Sequence, residues 1–511
     1  MIKNFYIFII IALCLSLTNI SIGLAADGLH PKTEPIASDL IPENFITNGT
    51  HFIRPASNTM FLPQGNAWII NDDETGGDCN CIGSWDPDTK TCTLTTDLSK
   101  TILIDSNDIT LDGNGHTLFG NGAQYGVYSY EKEGLAIKNM KIIDYSYGIK
   151  FEEVKNSIIT HNSILNNEGS GIYFLCLSNN NTISFNNFSN NNNIDFGFGA
   201  DIFFELNCDN NTIIDNNFGN NTKSNSKGIF IWCFSKYNMI INNKISDVTI
   251  TLMDGSGGNT IISNTISGGS ILDSHGNGGT RIINNTISGG GIFIEMTGGN
   301  TIINNTISNN EYGIEFFDGT CCDTVIGNHI SNTEYGISFN GGPLCCNNHK
   351  IINNTITNND YGIYLSNAND NLIYQNNLIN NKIYNAYEFF NDDFDCSENE
   401  NPGNKWDNDY VGNHWGDFDE TCEGCDDTNN NGICDSPYYI PGGSGMDNYP
   451  LVEPCGDWRD EWMGENSDGG TAVTTTELQS AIHHWLEDIP VKCHILHLAD
   501  LQEIIAVWLL E

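Results

Sequence analysis

From about residue 135 to residue 390 the apolar and polar positions of this chain repeat. The unit reads Thr-Ile-Ile-x-Asn-x-Ile-Ser, as in Thr260-Ile261-Ile262-Ser263-Asn264-Thr265-Ile266-Ser267. Aligned on its Asn, it recurs at Asn162, Asn186, Asn216, Asn243, Asn264, Asn285, Asn305, Asn328, Asn354 and Asn376, with weaker copies at Asn114 and Asn139. The spacing averages about 24 residues, a period shared by leucine-rich repeats and parallel β-helices. A second marker keeps the same period, as in Tyr147-Gly148-Ile149, Tyr312-Gly313-Ile314, Tyr335-Gly336-Ile337 and Tyr361-Gly362-Ile363. Ile and Thr occupy the lattice where a leucine-rich repeat needs Leu, and both favour short strands over helices. Within a unit the apolar residues alternate with polar ones in short runs separated by Asn and Gly turns. The pattern predicts a mainly β chain wound as a parallel β-helix of roughly twelve coils, a rod about 50–60 Å long. Inward Ile residues stack from coil to coil, and the recurrent Asn is placed in left-handed turns as a ladder of amides. Coil length varies most between Asn186 and Asn243, where loops are expected.

The flanks differ from the repeat. Residues 1–26 carry an early Lys3, an apolar run from Phe5 to Leu17 and small residues at Gly23, Ala25 and Ala26, which reads as a secretory signal peptide. A signal anchor is the alternative, but the run is short and the polar Thr18 and Asn19 follow it. No later run is long enough to span a bilayer. The chain is therefore expected to be secreted or on the cell surface, with no membrane span once the signal is removed. Residues 27–100 form an N-terminal cap, 101–390 the β-helix and 391–455 a C-terminal cap. In residues 456–511, Thr476-Glu477-Leu478-Gln479 with Ile482, Trp485 and Leu486 repeats as Ala499-Asp500-Leu501-Gln502 with Ile505, Trp508 and Leu509. Both copies space their apolar residues as amphipathic helices do, and Thr474 to Thr476 offer N-caps to the first. This is a small α-helical C-terminal module.

Composition narrows the function. Asn outnumbers even the 52 glycines, and 20 basic against 64 acidic residues leave a net charge of −44. Without a basic patch the chain cannot bind nucleic acid by neutralising phosphates. At 39% hydrophobic it is also too apolar for a disordered acidic tail. An anionic surface is expected to meet cations, Ca²⁺ first among them. The acids are dense after residue 391. The 8 Met and 12 His do not cluster, so copper is not supported.

Of 17 cysteines, Cys14 lies in the signal segment, which leaves an even set in an exported chain and points to disulfides. Cys79, Cys81 and Cys92 would staple the N-terminal cap. Cys321-Cys322 and Cys345-Cys346 lie about one mean period apart, and Cys176, Cys208 and Cys233 precede successive Asn strands, so inter-coil bridges are expected. Cys422, Cys425 and Cys434 are further candidates. A metal cluster of Cys321, Cys322, Cys345 and Cys346 is the alternative.

Asp112-Gly113-Asn114-Gly115-His116 followed by Asn-Thr-Ile coils resembles the right-handed parallel β-helix proteins of the carbohydrate-binding and sugar-hydrolase (CASH) and NosD-type families, with a pectate-lyase-like solenoid. Gly412-Asn413-His414-Trp415-Gly416-Asp417-Phe418 and Asp435-Ser436-Pro437-Tyr438 resemble the end segment of archaeal surface β-helix proteins. The first resemblance covers roughly residues 100 to 451 and implies contact with carbohydrate. Asp427-Thr428-Asn429-Asn430-Asn431-Gly432-Ile433-Cys434-Asp435 fits the first nine positions of an EF-hand calcium loop, with Asp427, Asn429, Asn431 and Asp435 as ligands. Position twelve is Tyr438 instead of Glu, and Asp447 or Asp426 would have to substitute. The tandem helices resemble a dockerin, which implies a cohesin-like partner. Its first loop is degraded, with Asn466, Asp468 and Glu477 as remaining calcium ligands. The second, around Cys493-His494-Ile495-Leu496-His497, has lost its acids.

Catalysis is weakly signalled. Within the coils the only Arg is Arg281, and Asp273-Ser274-His275 precedes it closely. Asp273, His275 and Arg281 are the candidate acid, base and charge clamp. The leading expectation is a non-catalytic protein that binds carbohydrate or a cell-envelope polymer along its solenoid and pairs with a protein partner through its C-terminal module. The alternative is a polysaccharide lyase, epimerase or hydrolase.

Overall fold

The computed structural model describes residues 67–191, 199–219, 226–276, 278–341, 346–389, 403–456, 458–463, 467, 472–486, 491–492 and 498–509. The signal segment, Cys345, Asn466, Asp468 and the second dockerin-like loop lie outside these residues. No helix among the described residues is long and apolar enough to cross a membrane. The chain divides into two compact units, a solenoid and a C-terminal helical unit.

Each coil of the solenoid passes through three short strands, as in Tyr312–Phe317, Thr324–Ile326 and His329–Ser331. Equivalent strands of successive coils pair in parallel and build three sheets, except that Gly83–Asp86 pairs antiparallel with Thr91–Leu94 at the N-terminal end. Sheet A has 14 strands, from Ala67–Ile70 to Tyr384–Phe389. Sheet B also has 14, from Gly83–Asp86 to Leu372–Tyr374, and sheet C has 13, from Thr117–Phe119 to His414–Trp415. The register sets like on like. Ile240, Ile261, Ile282 and Ile302 form one inward column in sheet B. Ile245, Ile266, Ile287 and Ile307 form another in sheet C. All eight are 0–1% exposed. Burying each contributes about 1.5–3 kcal/mol, so the β-branched lattice is both the strand signal and the core.

Three sheets need three corners, and there the strand ladder cannot satisfy the backbone. At the corner between sheets B and C the recurrent asparagines do. The N–H of Asn243 donates to Asn264 Oδ1 at 2.9 Å, and the N–H of Asn264 donates to Asn285 Oδ1 at 2.9 Å. Asn264 Nδ2 donates to Ile240 O, to Ile262 O and to Asn285 Oδ1. The chain of amides runs from Asn162 to Asn376 and on to Asn413. The expected left-handed turn falls one residue earlier. Asn242, Ser263, Asn284 and Asn304 have positive φ, while the ladder asparagines themselves point inward and are buried. The left-handed residue turns the chain, and the next residue then delivers its amide to the interior.

A second ladder, not read from the sequence, lines the corner between sheets A and B through Asn181, Asn211, Asn238 and Asn259. It continues as Thr280, Asn300, Asp323, His349 and Asn371.

Both ends of the solenoid are closed. Cys79 and Cys92 form a disulfide near the N-terminal end, while Cys81 is exposed and free. At the other end Trp406 and Trp415 are fully buried, and their indole N–H groups donate to Glu388 at 2.8 Å and Asp447 at 2.9 Å. Asn377 and the backbone of Cys455 exchange two hydrogen bonds of 2.7 Å, which tie the cap to the last coil. Cys425 and Cys434 are also bridged.

The expected inter-coil disulfides are not formed by the described cysteines. Cys176, Cys208, Cys233, Cys321, Cys322, Cys346 and Cys422 are all free. The step at Cys321 is 26 residues instead of the 24 assumed, because Cys321 pairs with Asn347. Cys346 therefore meets Thr320, whose hydroxyl donates to its Sγ. Cys208 is buried, whereas Cys176 and Cys233 are only half-buried.

In the helical unit, helices Thr475–Leu486 and Leu498–Leu509 pack around Trp458, Trp462, Ala481, Leu501 and Ile504. Arg459 reaches Glu503 through two bonds of 2.8 and 3.0 Å.

Replacing Asn264 by Ala would leave the buried N–H of Asn243 without an acceptor, and should cost about 2–4 kcal/mol in chemical denaturation. Replacing the exposed left-handed Asn242 by Ala should cost only about 1 kcal/mol.

Candidate functional site

The proposed catalytic trio does not converge. Asp273 lies in sheet A and is fully buried, in register with Leu252 and Ile294 of the inward column. Burial pushes its carboxyl up to about 7, the Thr280 hydroxyl pulls the other way, and the charge of Asp323 adds to the rise. Arg281 is exposed on sheet B, between Thr260 and Thr301. His275 is exposed in the intervening turn, and its Nδ1 lies 2.6 Å from Ser274 Oγ. The period-2 alternation places Asp273 inside the wall and Arg281 outside it, so close sequence spacing misled.

The chemistry gathers instead on the outer face of sheet A. Sheets B and C present mostly Thr, Ser and Ile outward, with isolated cations such as Arg281 and Lys350. Sheet A presents tyrosines and carboxylates in two groups. In the N-terminal group Tyr125, Tyr147, Tyr173, Phe203 and Phe230 stack in sequence. Lys150 sits over the rings of Tyr125, Tyr128 and Tyr173 and pairs with Glu152 at 3.3 Å. Tyr173 donates to Glu205, whose carboxyl is raised by burial. This group is largely closed over: Tyr125, Tyr128, Lys150, Phe203 and Phe230 are all buried.

The C-terminal group is open. Tyr312, Tyr335, Tyr361 and Tyr384 occupy one register position on four successive strands. The first three rings stack at 5.2 and 5.0 Å, and Tyr384 follows at 6.2 Å. Tyr364 and Tyr387 run beside them, stacked at 5.8 Å. Stacking consumes the ring faces, so the row offers ring edges and hydroxyls. Glu315 lies alongside, and its carboxyl is pushed up to about 7 by burial and by Glu311. The Tyr-Gly-Ile marker explains the placement. A Cβ on Gly336 would lie 2.5 Å from Gly362 O and 2.6 Å from Ile356 Cγ2, so only Gly fits the corner and the preceding Tyr projects outward. The marker was visible in the sequence; its meaning as an exposed rail needed the register.

The calcium-loop motif forms a compact turn. Asp427 accepts the N–H groups of Asn431 and Gly432 at 3.0 and 2.8 Å, and Asn429 accepts that of Asn431 at 3.0 Å. Gly432 supplies the positive φ at the sharp bend, and the Cys425–Cys434 disulfide closes the loop. The oxygens of Asp427, Asn429 and Asn431 fit the first three ligand positions. Asp435 turns back instead, accepting the N–H and hydroxyl of Thr428 at 3.0 and 2.6 Å. Asp447 does not replace the missing Glu, because it is buried and accepts from Asn413, Trp415 and Tyr449. Among the described residues no three His, Cys, Asp or Glu side chains group as a metal site.

Glu477 is likewise engaged elsewhere. It accepts the N–H and hydroxyl of Thr474 at 2.7 and 2.8 Å, and its own N–H donates to Thr474 Oγ1 at 3.2 Å. This is a capping box, so the acid expected at the last position of a calcium loop serves the helix start.

The right-handed β-helix region family matches residues 80–245 and 227–383, more than half of the chain. The chain belongs to this family. No curated protein sequence matches it. Among solved structures it is similar to the A-module of the mannuronan C-5 epimerase AlgE6 of Azotobacter vinelandii, with 16% identity over 57% of this chain and 90% of that one, at a TM-score of 0.39. It is also similar to an alginate lyase from Paenibacillus sp. str. FPU-7, with 14% identity over 54% and 98% of the two chains and a TM-score of 0.32. The catalytic domain of a GH87 alpha-1,3-glucanase matches with 14% identity over 58% and 59%, at a TM-score of 0.32.

Glu477→Gln should keep the capping bonds and leave the helical unit's denaturation midpoint close to that of the unsubstituted protein. Glu477→Ala should cost about 1 kcal/mol, whether or not chelator is present.

Proposed function

We propose that this is a secreted or cell-surface protein that binds a polysaccharide along the outer face of sheet A, on the tyrosine rail of residues 312–387. One observation carries the reading: four tyrosines in one register, three half-exposed and Tyr384 exposed, repeat at the coil spacing of about 4.8 Å, close to the length of one pyranose residue. A rail of hydroxyls and ring edges can meet the hydroxyls of successive sugars, and rigid Tyr side chains lose little entropy on binding. The carboxylates of Glu311, Glu315 and Glu334 beside it, on a chain of net charge −44, favour a neutral glycan over a polyanion.

The same proposal includes a Ca²⁺ ion at Asp427, Asn429 and Asn431 as a structural element of the C-terminal cap. It also includes a protein partner for the dockerin-like helical unit. A second reading, a polysaccharide lyase, epimerase or hydrolase, is favoured by the Lys150–Glu152–Tyr173–Glu205 cluster, where a raised carboxyl stands beside a tyrosine donor and an ammonium.

A panel of neutral and acidic polysaccharides tests both readings by retention and by release of reducing or unsaturated ends. Retention without turnover is expected. Tyr335→Ala with Tyr361→Ala should weaken it at least tenfold while the circular dichroism spectrum is kept. Turnover abolished by Glu205→Gln would establish the enzyme instead.

Glycan binding should also strengthen as pH falls through about 7. A polymer covering Glu315 desolvates its carboxyl, which is less costly once that group is protonated. Glu315→Gln should remove the pH dependence in isothermal titration. Calcium should raise the melting temperature, chelator should reverse the rise, and Asp427→Ala should abolish it. An unchanged melt would remove the loop as a calcium site.

A further inference from the structure

The interior of the solenoid holds a polar locus that neither the fold nor the rail explains. Asp273 is 0% exposed and sits in the inward column of sheet A between Leu252 and Ile294. Both its carboxylate oxygens lack a hydrogen-bond partner. The hydroxyls of Thr280 and Thr297 are also buried and unpartnered. The three side chains form one cluster. The point a Cβ on Gly276 would occupy is 2.9 Å from Asp273 Oδ1 and 3.2 Å from Thr297 Oγ1. Thr280 lies close enough for its hydroxyl to act on the Asp273 carboxyl.

The cluster coincides with a break in the second asparagine ladder. Asn211 and Asn238 each pass two bonds to the next amide. Thr280 occupies the rung after Asn259 and is too short to receive them. Asn259 Nδ2 turns back to Ser256 O at 2.7 Å instead. Two rungs on, His349 Nδ1 accepts the N–H of Asp323, and the Asp323 carboxylate adds to the rise of the Asp273 carboxyl. Neither Asp273 oxygen has a partner at hydrogen-bonding distance, and the cost of charging a carboxyl buried beside Leu252 and Ile294 is what pushes it up.

We propose that this interior cluster binds a single monovalent hard cation, of the sodium class, with Asp273, Thr280 and Thr297 as its oxygen ligands. Oxygen-only donors select a hard ion. Asp273 is the single carboxylate among the three donors, and it balances one positive charge. Thr297 belongs to the coil after Asp273 and Thr280, so the ion would join two coils where the amide ladder fails to.

The test is the melting temperature of the purified protein in chelator-treated buffer, with sodium chloride exchanged for choline chloride at constant ionic strength. Chelation removes any contribution from the Asp427 loop. Sodium should raise the melting temperature by a few degrees in a saturable way. Asp273→Asn should abolish the response. Asp273→Leu, which completes the apolar column, should melt above the unsubstituted protein in choline and ignore sodium. The same melting temperature in both salts would overturn the proposal. So would a sodium response that persists in Asp273→Leu, and so would stabilisation by calcium or magnesium alone. If Asp273→Asn fails to fold, Thr280→Asn, which restores the ladder amide, should remove the sodium response in its place.

Discussion

The structure depends on satisfying backbone groups at three corners where strand pairing stops. A parallel sheet of three-residue strands leaves many N–H and C=O groups at its ends, and each one buried without a partner costs of order 1–3 kcal/mol. The Asn side chain suits the task because one oxygen accepts the N–H of the preceding rung while its NH₂ reaches two carbonyls and the next amide. Asp would bring repeated charge into the core, and Gln would carry its amide one carbon too far. Much of the abundance of Asn follows from this solution, with an amide rung in most coils at two corners and further Asn in the left-handed turns.

Once the corners are fixed, the strands can be short and nearly uniform, and the register becomes rigid. A rigid register copies any outward residue along the axis. That is how Tyr312, Tyr335, Tyr361 and Tyr384 form a rail from a single recurrent position. The rail needs no loop to arrange it. The Gly that follows three of these tyrosines makes room for the next coil's backbone, and that close approach holds the rings at stacking distance. Local sterics at a corner thus set the geometry of an external surface.

Much of this was legible in the sequence. The Thr-Ile-Ile-x-Asn-x-Ile unit gives strands, core columns and the first amide ladder, because period-2 alternation and a fixed repeat are local properties. The second ladder was hidden, since its rungs include Thr280, Asp323 and His349 and so lose the Asn signature. Asp273, His275 and Arg281 were grouped by proximity in sequence, which in a thin-walled solenoid says nothing about which side of the wall a residue faces. The cysteine pairs failed for a related reason. A mean period of about 24 predicts no individual step, and a two-residue difference sets Cys346 against Thr320 instead of Cys322.

The same logic separates two kinds of acid in this chain. Most of its carboxylates face solvent, where repulsion is screened and the cost to the fold is small. A few are buried, and each has a reason that can be named. Glu388 and Asp447 accept the indole N–H groups that close the last coil, and Asp323 accepts the N–H of Asn300 as a rung of the second ladder. Asp273 is answered by nothing in the chain itself. A repeat that places Leu or Ile at this position in the adjoining coils pays for one Asp with lost burial, and a counter-ion is what turns that loss into a link between coils.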